Sequence, residues 1–151
     1  MRIPILAALA LTAASSLQAQ SVADLSTVTP VGGTWSWVQT ADGSEASFAG
    51  ADTKPQVTIH CTRVTRRITI SKASSAPAAV LGIWTSSQVK NLPASFNAAT
   101  GKVSAVVAAF DPLLDALSTS RGRIGFAMPG SVPLVLPPWA EIARVVEDCR
   151  V

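Results

Sequence analysis

The sequence holds one histidine, two cysteines, no internal repeat and no long run of like charge. Each scarcity removes a class of chemistry. With His60 as the sole imidazole, any histidine-dependent mechanism must use it, and no serine stands in the strand-turn-helix context of a nucleophile elbow. The cysteines, Cys61 and Cys149, lack metal-ligand spacing, and a single histidine does not complete a zinc set with them. No metal site and no cofactor is expected. Twelve basic residues against nine acidic ones leave a net charge of +3, too mild to argue for nucleic acid. Beyond the N-terminus the apolar residues are spread in short runs, none approaching the roughly 20 residues of a membrane-spanning helix.

What is present begins with an address. Arg2, an apolar run from Ile3 to Ala14 and then Ser15-Ser16-Leu17-Gln18-Ala19 have the three parts of a secretory signal peptide. The expected cut follows Ala19, and with no cysteine beside it no lipid anchor is implied. Of the 151 residues, 132 then remain, with a charge near +2, enough for one domain with a core. The chain is therefore expected to be periplasmic or secreted, with residues 1–19 as signal, 20–33 as a flexible Ser/Thr/Gly-rich lead-in and 34–151 as a single β-rich domain. In an exported chain two cysteines most simply form one disulfide, here Cys61 to Cys149. Two free thiols or pairing between chains are the alternatives.

The alternation of side chains lays out the strands. Thr34 to Thr40 and Glu45 to Ala49 flank Asp42-Gly43, a strong hairpin signal. With those two as the turn, Trp37 faces Phe48 and Trp35 faces Gly50, an aromatic layer. Next, Gln56 to Thr62 and Arg66 to Lys72 fold about Arg63 to Arg66, setting Cys61 opposite Ile68 and Ile59 opposite Ile70. Val80 to Trp84 reads as a central strand and Gln88 to Leu92 as its successor. Ser95 to Ala98 and Val103 to Phe110 form another hairpin, and Arg123 to Met128 pairs with Val132 to Leu136 across Pro129-Gly130. Asp111-Pro112 starts a short helix with Leu113, Leu114 and Leu117 inward, ending at Gly122. A second begins at Pro138, with Trp139, Ile142, Val146 and Cys149 on its buried stripe.

Three residue groups are candidates for function. His60 is either a surface imidazole or a catalytic base. Asp111 and Asp115 lie one helical turn apart, but one helix does not provide the facing geometry of paired glycosidase carboxylates. Arg63, Arg66 and Arg67 crowd one hairpin tip and Arg121 and Arg123 flank Gly122; together with His60 they form a candidate surface for an anion, with solvated arginines as the alternative.

The Thr58-Ile59-His60-Cys61-Thr62 strand, together with Ser120-Arg121-Gly122-Arg123 through Leu136-Pro137-Pro138-Trp139 to Glu147-Asp148-Cys149-Arg150, resembles a group of small, uncharacterised periplasmic proteins of Gram-negative bacteria. More distantly, the order of strand cysteine, short helix, strand pair and terminal helix with cysteine is similar to invasion-associated locus B proteins. The resemblance implies an envelope location and brings no catalytic residues. The expected fold is an antiparallel β-sandwich or partly closed barrel with two short helices, mainly β, its last helix tied by the disulfide. The expected function is that of a non-enzymatic protein binding another protein or an anionic envelope component. The alternatives are a hydrolase or other enzyme, indicated by a concave pocket joining His60 to an acidic residue, and an enzyme inhibitor presenting a rigid loop such as Met128 to Ser131.

Overall fold

The computed structural model describes residues 24–151, so the expected signal peptide lies outside the described residues. Among the described residues ten strands form two antiparallel sheets. β1 (Thr34–Gln39), β2 (Gly43–Ala49), β3 (Pro55–Thr62), β4 (Arg67–Ala73), β7 (Ser95–Asn97) and β8 (Lys102–Ala108) make a six-stranded sheet in the order β1-β2-β3-β4-β8-β7. β5 (Val80–Trp84), β6 (Val89–Pro93), β9 (Ile124–Ala127) and β10 (Leu134–Leu136) make a four-stranded sheet in the order β10-β9-β5-β6. Helices α1 (Pro112–Thr119) and α2 (Ala140–Arg150) complete the fold. It is the sandwich of the two expected architectures, with no closed barrel among the described residues.

Strand periodicity decides what faces inward. Trp35, Ala46, Phe48, Val57, Ile59, Cys61, Ile68, Ile70, Val103, Ala105 and Val107 share the inner face of the large sheet and belong to one buried cluster. That face has two covers. α2 lies against β1 to β4, burying Ile142, Val145, Val146 and Cys149, while β5 and β6 lie against β8. On the outer face, pairing sets Ser36, Ser47, Thr58, Ser71, Ser104 and Ser95 in a single row, one hydroxyl on each strand. Two neighbouring pairs in the row bond to one another, Ser36 Oγ to Ser47 Oγ at 3.0 Å and Ser71 Oγ to Ser104 Oγ at 2.8 Å.

The β3–β4 register is the expected one, with Cys61 opposite Ile68 and Ile59 opposite Ile70, closed by a 3₁₀ turn over Arg63–Thr65 and a left-handed Arg66. The β1–β2 register is two residues away from expectation. Trp35 faces Phe48 and Trp37 faces Ala46, because the turn is centred on Ala41-Asp42, with the Thr40 amide donating to the Gly43 carbonyl at 3.0 Å. Gly43 is the first residue of β2, and a Cβ there would stand 2.1 Å from the Cys61 carbonyl oxygen. Its glycine serves the close approach of β3. A shift of two preserves the side-chain face, so the aromatic layer forms: Trp35 and Phe48 meet edge to face at 5.6 Å.

Both helices differ from expectation at one end. α1 stops at Thr119 and Ser120 is already extended, so Gly122, at φ 76°, sits in the turn beyond and does not cap the helix. α2 begins at Ala140. Trp139 is extended and 55% exposed, while Val145 takes the expected inward place. The start of α1 is as read: the Asp111 carboxylate accepts from the Leu113 amide at 2.9 Å and also pairs with Lys90 Nζ at 2.8 Å. Burial raises the Asp111 pKa, but the bonds from Lys90 and Leu113 outweigh it and the net shift is downward. Its contribution to stability is therefore present above the ordinary aspartate value and lost as pH falls through the lower folded one. Asp111→Ala is expected to cost about 1 kcal/mol in urea denaturation at pH 7. Asp111→Asn should cost less, since the amide oxygen still caps the helix.

Within the stretch expected as a lead-in, Leu25 is buried against Gly125, and the Val31 amide donates to the Val135 carbonyl at 2.9 Å. A disulfide joins Cys61 of β3 to Cys149 of α2 with Cα atoms 5.6 Å apart, and both residues are fully buried. Among the described residues no helix is long and apolar enough to cross a membrane.

Candidate functional site

The turn of the β1–β2 hairpin and the tip of the β3–β4 hairpin lie side by side at one end of the large sheet, joined by the Arg63 amide donating to the Asp42 carbonyl at 2.9 Å. The tip carries Arg63, Arg66 and Arg67, all exposed. Among the described residues none of their guanidinium groups has a carboxylate within ion-pair distance. Its backbone is well anchored. The Arg66 amide bonds to the Arg63 carbonyl, the Arg66 carbonyl accepts from Ala109 at 2.9 Å, and the disulfide fixes Cys61 directly before the turn. Two apolar side chains stand out beside the charges: Val64 on the tip, 92% exposed, and Phe110 next to Ala109, 63% exposed. The Arg150 guanidinium lies 5.5 Å from the Phe110 ring while bonded to Asp115 at 2.7 Å, which makes Asp115 an ion-pair partner of α2.

His60 is one row in from Arg67 on the outer face, half-buried, with a carboxylate at each ring nitrogen. Nε2 lies 3.1 Å from Asp42 Oδ2 and Nδ1 lies 3.5 Å from Glu45 Oε2. The Asp42 pKa is lowered, chiefly by the hydrogen bond to His60 and then by the Thr40 hydroxyl at 2.9 Å. The acidic partners that would favour a hydrolase are thus present. A concavity around Lys72 does not include His60, which lies on the outer face of the large sheet.

Arg121 and Arg123 have different surroundings from the tip. The Arg123 guanidinium is occupied by the carbonyls of Leu25 and Ser26 and fastens the α1–β9 connection to the chain before β1, while the Arg121 amide donates to Ser86 Oγ at 3.0 Å and fastens the same connection to the β5–β6 turn. The Met128–Ser131 segment is a tight turn, with the Ser131 amide on the Met128 carbonyl at 3.2 Å and Gly130 at φ 74°. No group of three or more His, Cys, Asp or Glu residues that could hold a metal ion lies among the described residues.

Two features at the inner face escape a reading of motifs. The Arg144 guanidinium stacks 3.5 Å above the Trp37 ring, bracing α2 against β1. Lys72 follows Ile68 and Ile70 at the same alternation and so points inward, between Val57 on β3 and Val103 on β8. The signal was there: a lysine two residues beyond an inward isoleucine. Compared with known proteins, the chain matches no family model, no curated protein and no solved structure.

Proposed function

We propose that this is an exported, periplasmic, non-enzymatic protein that binds an acidic patch on another envelope protein through the β3–β4 tip. The observation that carries the reading is the set of three neighbouring arginines, unpaired with carboxylates among the described residues, on a tip that the disulfide and the Arg66–Ala109 bond hold still. Like charges gathered this closely are mildly unfavourable alone and become favourable opposite an anion. Exposed Val64 and Phe110 at the same end favour a protein over a bare polyanion, since arginine and aromatic side chains together typify the centres of protein interfaces. The signal-like N-terminus, the buried disulfide and the resemblance to periplasmic proteins support the location.

The test is cross-linking in intact cells with wild type and the Arg66→Glu/Arg67→Glu variant, followed by mass spectrometry of the adducts. Both side chains are exposed and glutamate also has a Cβ, so the left-handed conformation at position 66 is no more strained than before. Stability should stay within about 0.5 kcal/mol. A protein adduct of the wild type is expected to fall about tenfold in the variant, as two attractions become repulsions. The reading fails if the wild type gives no protein adduct, or if the variant gives the same adduct undiminished.

A further inference from the structure

The inward position of Lys72 creates a second site, independent of the basic tip. Lys72 is 9% exposed in a row otherwise made of Trp35, Phe48, Val57, Val103 and Phe96, yet among the described residues no carboxylate lies within ion-pair distance of its ammonium group. Its hydrogen bond is a long one, 3.4 Å to the carbonyl of Ala73. A buried lysine ordinarily has a charged or strongly bonded partner, because an unpaired ammonium group away from water is costly. Here it opens on a cavity of about 380 Å³ between the β3 and β4 ends that carry Gln56 and Ala73 and the segment Val132 to Leu134 leading into β10. Val31, Ala73, Val132, Pro133 and Leu134 give that cavity apolar walls, and Gln56 also lines it. Gln56 Oε1 is itself buried with no hydrogen-bond partner.

We propose that this cavity binds a small carboxylate with an apolar body and one N–H or O–H group. The carboxylate accepts from the free donors of Lys72, the N–H or O–H group donates to Gln56 Oε1, and the apolar body lies against Val132, Pro133 and Leu134. The volume falls in the range of small-molecule sites, which are mostly apolar with a few converging polar groups. Burial lowers the Lys72 pKa, and a bound carboxylate acts in the opposite direction, so the ligand also relieves the strain of an uncompensated charge.

The experiment uses N-acetyl-L-leucine as probe, followed by calorimetry and by the 13Cε resonance of Lys72. Binding is expected, with the Lys72 resonance moving on saturation. The methyl ester, which has no charge, should bind at least tenfold more weakly, and 4-methylpentanoate, which has no N–H, several-fold more weakly. Lys72→Met should remain folded, because it removes an unpaired buried charge, and should lose affinity at least tenfold. The proposal is overturned if the acid produces neither heat nor movement of the Lys72 resonance. It is equally overturned if the ester binds as well as the acid, or if folded Lys72→Met binds unchanged.

Discussion

Replacing Cys61 and Cys149 together by alanine is expected to lower stability by up to about 5 kcal/mol, measured as the shift of the urea midpoint. The bond closes a loop of 88 residues, and the chain-entropy relation for a loop of that length gives about 4–5 kcal/mol. For a domain whose total stability is on the order of 5–15 kcal/mol this is a large share. The effect should concentrate at the end of the chain. α2 has 11 residues, too few to hold a helix in water by propensity, and it persists because Ile142, Val145 and Val146 are buried against β1 to β4. Without the covalent tie its last turn depends on those contacts and on the Arg150 bonds to Ala109 and Asp115. Amide exchange in residues 147–150 should accelerate before the sheets unfold. Reduction of the unmodified protein should reproduce the same midpoint. An unchanged midpoint in both experiments would show that the cross-link contributes nothing to folding.

The parts of this architecture that were legible in the sequence are those governed by neighbours along the chain. The β3–β4 hairpin was readable to the exact pair because two alternating runs meet through a four-residue tip, and only one parity puts Ile59, Cys61, Ile68 and Ile70 on one face. Asp111-Pro112 was readable because a cap and a proline act within a single turn. The misplaced turn at Asp42-Gly43 has a different origin. The glycine answers to the carbonyl of Cys61 on β3, 18 residues further along the chain, and a local rule does not contain that contact. Trp139 failed similarly: two prolines precede it, the chain stays extended through it, and periodicity counted from it placed an exposed indole in the core. The partnership of β4 with β8 and of β5 with β9 is set by how the layers stack, and alternation alone does not choose among apolar strands. The two candidate surfaces divide along the same line. The tip arginines are consecutive enough to be seen as a group, whereas Lys72 and Gln56 come together with Val132 to Leu134 only after both sheets have formed.

Phe48→Ala is expected to cost about 3–5 kcal/mol, the range for removing a fully buried phenyl ring. The site has little room to collapse. Phe48 is held between β1 and β3, its ring edge-on to Trp35, and the chain at Gly33 passes so near that a Cβ there would stand 2.3 Å from Phe48 Cζ. The cavity left by alanine would adjoin Trp35, whose indole Nε1 donates to the Pro137 carbonyl at 2.9 Å, just before α2. Losing the phenyl therefore removes an aromatic contact worth about 0.5–1.5 kcal/mol beyond its area and frees the indole that positions the entry to the last helix. Tryptophan emission should shift to the red in the folded variant, and Phe48→Leu, which retains most of the volume, should restore much of both stability and emission. A loss below about 1 kcal/mol in Phe48→Ala, with emission unchanged, would mean that the two-sheet core does not close over this ring, and the β1–β2 register would then have to be wrong.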